Sequence, residues 1–514
     1  MDFTRIARMI FARQAREVKQ WHGHEPELQR ALLKSMLANA KDTEFGRANG
    51  FADILGNTRD ENLHHAYRDA VPLRKYEDFR ADIMRMIHGE RDILWPGECR
   101  NFAQSSGTTG GRSKYIPVTE DGLKLNHYKG ASYSVALYLD ANPQSRMFRG
   151  KGLILGGSFA TEVVDMKKGV VVGDLSATLI DRVNPFVNFF RIPDKHTALL
   201  SDWQQKLPQL AEKASKANLT NISGVPSWMM HVLLKVLEIK NATSLKEVWP
   251  NLEVFFHGGI SFAPYREEYL RLCTGLDMHF SEVYNASEGY FAVQDSLNTG
   301  KADEEGMLLL VDAGVFYEFI PIGGGLPVGV SGVKKGKIYE LIISTVNGLW
   351  RYHLGDTVQV VSVSPLKIVI AGRTKSFINA FGEELMENNA EKALAVACSA
   401  TGASISNYTV APVYAHGTQK GRHQWLIEWR TAPSSIEEFA LLLDKNLRLQ
   451  NSDYDAKRGH DIFLDIPEVV SVPQGSFHRW LTTIGSGKLG GQRKVPRLSN
   501  DRSIADAILQ NIAD

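Results

Sequence analysis

Cysteine is scarce in this chain of 514 residues, which contains only three. Cys99, Cys273 and Cys398 lie far apart in the sequence and form no Cys-x-x-Cys pair. This spacing indicates neither a structural zinc site nor a disulfide framework. A reducing, cytoplasmic compartment is therefore the location we expect.

The chain also has no excess of charge of one sign, because 59 Lys and Arg residues are balanced by 58 Asp and Glu residues. The resulting formal net charge of +1 supplies no global field that would attract nucleic acid or an anionic membrane. We therefore expect no nucleic-acid partner.

No apolar run approaches the roughly 18 residues that a membrane-spanning helix needs, so we expect no stable membrane insertion. The segment 1–16 instead places Phe3, Ile6, Ile10 and Phe11 at helical spacing among four arginines. It has neither the continuous apolar core nor the small-residue cleavage site of a signal peptide. The pattern predicts a docked amphipathic helix, with peripheral membrane binding as the alternative.

Hydrophobic residues are plentiful, at 43% of the chain. The length exceeds the roughly 100–200 residues of a typical domain, so at least two cores are expected. The segment 25–87 is mostly helical in pattern, although Val71-Pro72-Leu73 interrupts it. It predicts a helical lead-in.

Three short apolar runs, at 152–157, 221–225 and 252–259, end in or near glycine and have helical patterns between them. This alternation predicts a largely parallel α/β sheet. In such sheets ligands bind beyond the carboxyl ends of the strands, where these glycines fall. Taken singly, each of them is more often only a turn.

The segment 105–114, Ser-Ser-Gly-Thr-Thr-Gly-Gly-Arg-Ser-Lys, concentrates glycines and hydroxyl groups beside basic residues. Glycines let amide N–H and hydroxyl groups converge on phosphate oxygens, while Lys114 or Arg112 offsets charge. A Walker A loop is excluded, because no glycine precedes the lysine at the required place. For the glycines alone, an ordinary surface turn is the alternative. The segment predicts a phosphate loop of another nucleotide-using class, between a strand at 115–118 and another extended segment.

Two later segments place carboxylates near strand ends. Tyr284 and Glu288 are four residues apart after a short strand, so both could face one nucleotide. Asp356 leads into a strand at 357–363, where it would bind sugar hydroxyls or close a turn. The residues alone favour the turn.

The chain changes character near residue 373. A strand at 368–371 is followed by Gly-Arg-Thr-Lys, a Gly382-Glu383-Glu384 turn and a helix that begins near Met386. The remaining residues, about 140 in number, mix strands and helices and predict a small α+β domain. A glycine-rich stretch at 323–332 is explained more simply by a hairpin loop than by a second phosphate site.

Four of these segments occur in the same order as in the acyl-adenylate-forming enzymes, which include acyl-CoA synthetases and luciferases. The segment 105–114 resembles their phosphate loop, 284–289 their adenine and magnesium motif, 351–356 their ribose motif and 372–387 their hinge motif. Within that superfamily the chain most closely resembles the auxin-responsive Gretchen Hagen family of acyl acid–amido synthetases.

The family's phosphate motif, Ser-Ser-Gly-Thr-Ser-Gly-Gly, is matched with Thr109 in place of a serine, which keeps a hydroxyl. Asn285 and His353 depart from its motifs Tyr-Ala-Ser-Ser-Glu and Tyr-Arg-Tyr-Arg-Leu-Gly-Asp, whereas Glu288 and Asp356 match. The likeness spans nearly the whole chain and extends to the segments 71–78, 224–228, 451–454, 475–477 and 492–497.

The resemblance implies an α/β protein with two domains. Residues 1–372 would form a large ATP- and acyl-binding domain with mainly parallel sheets and the helical lead-in, and residues 373–514 a smaller, mobile α+β domain. The implied reaction is ATP-dependent adenylation of a carboxylic acid, followed by acyl transfer to an amine. Because the closest motif agreement is with the amido synthetases, we expect the amine to be an amino acid. The alternatives are an acyl-CoA ligase of the same superfamily and a catalytically silent nucleotide-binding regulator.

The resemblance also implies roles for individual residues, with ATP and Mg²⁺ as cofactors and a monomer or weak homodimer as the assembly. Lys494 and Lys114 would be catalytic, and Glu288 would hold the metal. The implied nucleotide contacts are Ser105, Ser106, Gly107, Thr108, Thr109, Gly110, Gly258, Gly259, Tyr284, Ser287, Glu288, Asp356 and the hinge residue Arg373.

The acid pocket is expected between the helix after the phosphate loop and the turn 225–228, because both adjoin strand ends. Its candidate wall consists of Tyr133, Val225 and Trp228, with His127 and Tyr128 nearby. An aromatic or indole acid fits such a wall, as would a fatty acid. Core packing is the alternative for aromatic residues on a helix.

Overall fold

The computed structural model describes residues 2–105, 114–159, 166–259, 262, 265–297, 305–373, 377–378, 380, 383, 385–414, 421–451, 454–455, 458, 464–484 and 495–513. Within these ranges the chain forms two compact units. Unit 1 comprises residues 2–259 and 273–369, and unit 2 comprises the described residues of 260–272, 370–489 and 493–513.

Unit 1 opens with the predicted helical lead-in, which is confirmed. Its helices are α1 (Thr4–Lys19), α2 (Glu25–Ala40), α3 (Glu44–Ala48), α4 (Phe51–Asn57), α5 (Leu63–Ala70) and α6 (Tyr76–Ile87). Helix α5 ends at Ala70 because Pro72 disfavours a helical conformation for Val71, whose backbone is extended.

Helix α1 docks on unit 1 through part of the apolar set that its sequence suggested, because Phe11 packs against the core while two isoleucines do not. Ile6 and Ile10 are exposed, while Ala7, Ala15 and Val18 are buried. The small alanines allow close packing, and Arg8 donates to the carbonyl oxygen of Asn142 at 3.1 Å. The expectation that Ile6 and Ile10 pack inward is therefore wrong.

The predicted phosphate loop connects two antiparallel strands, β1 (Asn101–Ser105) and β2 (Lys114–Val118), so its position between extended segments is confirmed. A π-helix at Gly122–His127 follows and continues into α7 (Tyr128–Ala141). Thr119 caps this helix, because its Oγ1 accepts the Gly122 N–H at 2.9 Å.

The other strands of unit 1 lie mainly in one sheet. They are β3 (Lys151–Ile154), β4 (Val171–Gly173), β5 (Arg191–Ile192), β6 (Leu219–Gly224), β7 (Val254–Gly258), β8 (His279–Ala286), β9 (Gly289–Val293), β10 (Met307–Leu309), β11 (Val315–Pro321), β12 (Ile338–Thr345), β13 (Tyr352–Val363) and β14 (Leu366–Arg373). Strand β4 joins β1 and β2, and the remaining strands form an 11-stranded sheet in the order β11-β12-β13-β14-β10-β9-β8-β7-β6-β3-β5. The connecting helices are α8 (Leu175–Arg182), α9 (Lys195–Ala198), α10 (Trp203–Ser215), α11 (Pro226–Lys240) and α12 (Leu245–Val248).

One half of the large sheet is parallel, from β5 through β3, β6 and β7 to β8, as the glycine-terminated runs predicted. Strands β9 to β12 add antiparallel pairs, which the sequence analysis did not predict. Short hairpins connect several of these strands, and such short connections permit only antiparallel pairing. The glycine-rich stretch lies in one such hairpin, since Phe319 pairs with Val328.

Unit 2 mixes helices and strands. Its elements are α13 (Arg266–Leu272), β15 (Phe377–Ile378), β16 (Leu385–Met386), α14 (Glu387–Thr401), β17 (Ser404–Val413), β18 (Arg422–Thr431), α15 (Ile436–Gln450), β19 (Glu468–Val472), α16 (Ser476–Ile484) and α17 (Ser503–Ala513). Helices α14 and α15 cover a three-stranded sheet, with Trp425 and Phe439 in its core. Of the predicted turn at 382–384, Gly382 and Glu384 lie outside the described residues.

Candidate active site

The ends of the predicted phosphate loop are held together, because Ser105 and Lys114 are the last pair of the β1–β2 hairpin. Lys114 Nζ lies 5.5 Å from the centroid of the Tyr76 ring, and the Tyr115 N–H donates to Tyr76 Oη at 2.8 Å. Helix α6 thus fixes the C-terminal end of the loop. The predicted donors within the loop lie outside the described residues: Ser106, Gly107, Thr108, Thr109 and Gly110.

A tight hairpin turn carries Glu288. Ala286 pairs with Gly289 across the β8–β9 hairpin, so Ser287 and Glu288 form the two-residue turn between them. The Glu288 side chain is buried, and its Oε1 accepts a hydrogen bond from Tyr352 Oη at 3.4 Å. The turn therefore presents a carboxylate at the carboxyl end of β8.

Asp356 lies within strand β13, and not in the turn that its sequence context favoured. Between the pairs Glu340–Thr357 and Ile342–His353 the strands shift register, so that β13 has two extra residues there. Gly355, with a φ of 84°, accommodates this bulge. The bulge turns the buried Asp356 towards β8, where Tyr284 Oη donates to its Oδ2 at 2.6 Å.

Tyr352 links the two carboxylates electrostatically. Its pKa is raised well above the ordinary value, first by burial and then by the charge of Glu288, with smaller contributions from Tyr76 and Asp356. Tyr76 beside the phosphate-loop anchor, Glu288 in the hairpin turn and Asp356 in the bulge thus all raise the pKa of one phenol. Tyr76 had been given no role from the sequence, although it opens the helix after Val71-Pro72-Leu73.

The carboxylates described above suit a magnesium ion that is also coordinated by phosphate oxygens. In the part of the chain that the structure describes, no three His, Cys, Asp or Glu side chains are grouped to hold a metal by themselves. Mg²⁺ commonly takes one or two carboxylates together with phosphate oxygens and water. The buried Glu288 carboxylate fits that pattern.

Gly258 and Gly259 end the neighbouring strand β7, where only glycine fits. A Cβ on Gly258 would lie 2.3 Å from the Val283 carbonyl oxygen, and Gly259 has a φ of 85°. The backbone of β7 can therefore approach β8 closely beside Tyr284. The family resemblance implied nucleotide contacts at this end of the strand.

A buried ion pair lies at the residue that precedes β13. Arg351, with a φ of 47°, donates from Nε and Nη2 to Glu318 at 2.8 and 3.0 Å. Burial opposes ionisation of Glu318, but the hydrogen bonds from His64 and Arg351 hold its pKa below the ordinary value. These partners are separated by 33 residues or more in sequence, and no sequence motif indicated their pairing.

The acid-pocket candidates divide into two groups. Val225 precedes α11 and Trp228 lies in its first turn, beyond the carboxyl end of β6, as predicted. Tyr133 is fully buried elsewhere in the packing of α7, where its ring meets Trp21 edge-on and its hydroxyl donates to Asp312 at 3.0 Å. The Tyr128 hydroxyl donates to the Leu179 carbonyl oxygen at 3.0 Å.

His127 is a buried histidine of the π-helix. Neither ring nitrogen has a hydrogen-bond partner among the described residues, and burial lowers its pKa to about 4. The imidazole is therefore neutral at physiological pH.

Arg373 and Lys494 are the remaining predicted residues. Arg373 is the last residue of β14, and nothing is described of its side chain. Lys494 lies outside the described residues.

Three family models match the chain in succession. They are described as the GH3 family N-terminal domain, at residues 14–278, the GH3 family central domain, at 308–373, and the GH3 family C-terminal domain, at 388–503. Together they cover most of the chain.

Individual proteins show the same likeness. A curated relative, the probable indole-3-acetic acid-amido synthetase GH3.1 of Arabidopsis thaliana, is 23% identical over 97% of this chain and 93% of its own length. The solved structure of GH3.15 acyl acid amido synthetase has a TM-score of 0.76 at 18% identity, covering 96% of this chain and 95% of that one. A 2-hydroxyisobutyryl-CoA ligase has a TM-score of 0.61 at 11% identity, covering 94% and 91%. The two structures show a shared fold.

Proposed function

The chain belongs to the GH3 family, as its motifs predicted, and on that premise we propose that it is an acyl acid–amido synthetase. A carboxylate oxygen of the acid would attack the α-phosphorus of ATP, and the bond to pyrophosphate would break. The nitrogen of an amine would then attack the acyl carbon of the adenylate and expel AMP. The products are an amide, AMP and pyrophosphate.

The observation that carries this proposal is that two buried carboxylates each accept a hydrogen bond from a tyrosine of a distant segment. Tyr284 holds Asp356, and Tyr352 contacts Glu288, although 72 and 64 residues separate the partners. Burying a carboxylate is costly unless hydrogen bonds or cations compensate for it. A nucleotide with its magnesium would add to the compensation that the tyrosines supply.

The strand ends suggest how the nucleotide would be held. Gly258, Gly259 and Tyr284 would contact adenine, because β7 and β8 end side by side there. Asp356 would accept hydrogen bonds from the ribose hydroxyls. Residues 105–110, Ser287 and Lys114 would surround the phosphates, and Arg373 would contact the nucleotide from the end of β14.

Glu288 would hold the magnesium, which offsets charge on the phosphate oxygens when it is bound. Tyr352 would orient the Glu288 carboxylate through its hydroxyl. Tyr76 would hold Lys114 in place. The Tyr76 hydroxyl accepts a hydrogen bond from the neighbouring Tyr115 N–H, and the Tyr76 ring contacts the Lys114 ammonium. These side chains position charge before the reaction, and such preorganisation lowers the barrier.

The acid would lie against Val225 and Trp228, beyond the end of β6. An aromatic, indole or fatty acid suits an apolar wall of this kind. The Arabidopsis relative named above is an indole-3-acetic acid-amido synthetase by its description. Tyr133 stays a candidate for the wall, although its contacts include Trp21, Asp312, Glu17 and Lys129.

Residues 373–514 would form a domain that rotates about Arg373 to Lys375 between the two half-reactions. Lys494 would then face the phosphates only during adenylation, and its ammonium would offset the developing charge. The cytoplasmic location and the monomer or weak homodimer also stay predictions.

The test is to supply ATP, magnesium and a panel of carboxylic acids with either mixed amino acids or coenzyme A, and to identify the products by mass. We expect an amide and AMP. Efficient thioester formation without amide would instead favour the acyl-CoA ligase, and release of ADP would contradict adenylation. Nucleotide binding without turnover of any acid would indicate a silent regulator.

A further inference from the structure

Unit 1 carries an exposed apolar surface outside the candidate active site. Its members lie on the outer side of α1 and in a 3-10 helix at Pro185–Phe190, and between 38% and 73% of each is exposed. We call it the aromatic face, and its residues are Ile6, Met9, Ile10, Phe186, Val187 and Phe189.

The two parts of the aromatic face are joined by Phe190. Its ring lies 5.4 Å from that of Phe186 and 5.6 Å from that of Phe3, which immediately precedes α1. The Phe148 ring also packs edge-on against the Phe190 ring, with 5.8 Å between the ring centroids. The rings tie the 3-10 helix to the start of α1 and make one continuous surface.

The side of α1 that faces unit 1 fixes the orientation of the helix. The exposed apolar residues on its other side are therefore not core residues that have been turned outward. Ala7, Ala15 and Val18 are buried against unit 1, and Lys19 forms an ion pair with Asp140 at 2.7 Å. Turning Ile6 and Ile10 inward would expose these contacts. The apolar residues therefore stay at the surface of the folded protein.

Arginines surround the aromatic face. Arg5, Arg13 and Arg16 are exposed on α1. Arg146 and Arg149 are also exposed, and they lie near Asp2, whose pKa is lowered first by a hydrogen bond from Thr4 and then by these two charges. Five cations thus border a set of aromatic and aliphatic side chains, with Asp2 as the acidic neighbour.

We propose that the aromatic face docks on the surface of an anionic phospholipid bilayer. Exposed aromatic and aliphatic residues of a helix enter the headgroup region, while arginines pair with lipid phosphates. Helix α1 would lie in the plane of the interface, since no described helix is long and apolar enough to cross a membrane. Contact with a second copy through the same face is disfavoured, because it would bring the arginine groups of the two copies together.

The experiment is sedimentation of the full chain with vesicles of phosphatidylcholine alone or mixed with phosphatidylserine. We expect binding to the mixed vesicles that weakens as salt is raised. The double variant Phe186→Ser/Phe189→Ser should bind about tenfold less, and so should Arg5→Gln/Arg13→Gln. Circular dichroism and thermal unfolding would verify that each variant is folded.

A matched control is Leu441→Ser/Leu449→Ser on α15, where both leucines are also exposed. It should bind like the unchanged protein. The proposal is overturned if the unchanged protein does not sediment with the mixed vesicles, or if both double variants of the face bind as well as the control. Dimerisation that is abolished by Phe186→Ser/Phe189→Ser would assign the face to a second copy and would also overturn it.

Discussion

The candidate active site and the aromatic face depart from ordinary side-chain placement in opposite directions. At the site, the carboxylates of Glu288 and Asp356 are only 8% and 6% exposed. On the face, Ile10 and Phe189 are 66% and 73% exposed. Charged groups are usually at the surface and large apolar groups usually inside, so both regions invite a functional explanation.

The two regions differ in what stabilises them. The buried carboxylates have hydroxyl donors in Tyr284 and Tyr352, and a third buried carboxylate, Glu318, pairs with Arg351. The exposed apolar residues gain little from folding, because water still covers most of their surface. Charged groups that are buried despite the free-energy cost of desolvation indicate a ligand site. Large apolar groups that stay exposed to solvent indicate a docking surface.

Removing the Glu288 charge should have the largest effect on the site. We expect Glu288→Gln to reduce adenylation roughly 10²–10³-fold, because the variant loses the charge that would hold magnesium near the phosphates. Glu120→Gln serves as the matched control, since Glu120 is exposed and its ion-pair partner is Arg182. Equal activity of the two variants would remove Glu288 from the proposed metal site.

Lys494→Ala should reduce adenylation by a similar factor, roughly 10²–10³-fold, but should affect only the first half-reaction. Amine attack on a finished adenylate needs no cation at the departed pyrophosphate. The comparison is acid-dependent pyrophosphate exchange against amide formation from pre-made acyl adenylate. Equal losses in both assays would refute a role confined to adenylation.

Asp356→Ala should weaken ATP binding about ten- to a hundredfold, because hydrogen bonds to a charged group contribute about 1.5–3 kcal/mol. Tyr284→Phe, which removes the hydroxyl partner and keeps the carboxylate, should weaken binding only about fivefold. Calorimetry measures both affinities. Unchanged affinity in a folded Asp356→Ala protein would show that the aspartate serves only the bulge.

The buried His127 tests whether burial of an imidazole makes the fold acid-sensitive. Its folded-state pKa of about 4 lies below the ordinary 6.5, so the unfolded chain binds more protons between these values. The corresponding stability is present above pH 6.5 and is lost as the pH falls towards 4. From pH 7 to 5 this loss is about 2 kcal/mol. Denaturant unfolding of His127→Gln at both pH values should show a pH dependence smaller by that amount, and an unchanged dependence would contradict the assignment.

The smallest effect is expected on the outer side of α1. Ile10→Ala should change the free energy of unfolding by less than about 0.5 kcal/mol, because Ile10 is exposed. Val18→Ala, on the inner side of the same helix, should cost roughly 2 kcal/mol. Similar losses in the two variants would mean that the outer side is packed in solution, and that the comparison between the two regions fails.

Short-range patterns predicted much of this structure. The parallel run from β3 to β8 follows from glycine-terminated apolar segments, and the helical lead-in follows from its spacing. The phosphate-loop hairpin, the glycine-rich hairpin and the family likewise follow from local motifs. Each of these depends on residues that are close in sequence.

Features that depend on distant partners were not predictable in the same way. Two extra residues place Asp356 in a bulge of β13. The bulge is defined by the pairing of β13 with β12, so the sequence of β13 alone does not reveal it. The docking side of α1 was misjudged because Ala7 and Ala15 fit closely against unit 1, which hydrophobicity alone does not express. The pairing of Arg351 with Glu318 and the support that Tyr76 gives to Lys114 likewise join segments far apart in the chain.

The central claim is that the buried carboxylates serve adenylation of a carboxylic acid, and it is tested most directly by exchange of labelled pyrophosphate into ATP without any amine present. The account predicts exchange that requires both magnesium and an acid and that falls sharply in Glu288→Gln and Asp356→Ala. The proposal that the protein adenylates an acid would be contradicted if a panel of aromatic, indole and fatty acids produced no exchange while the protein still consumed ATP to give ADP.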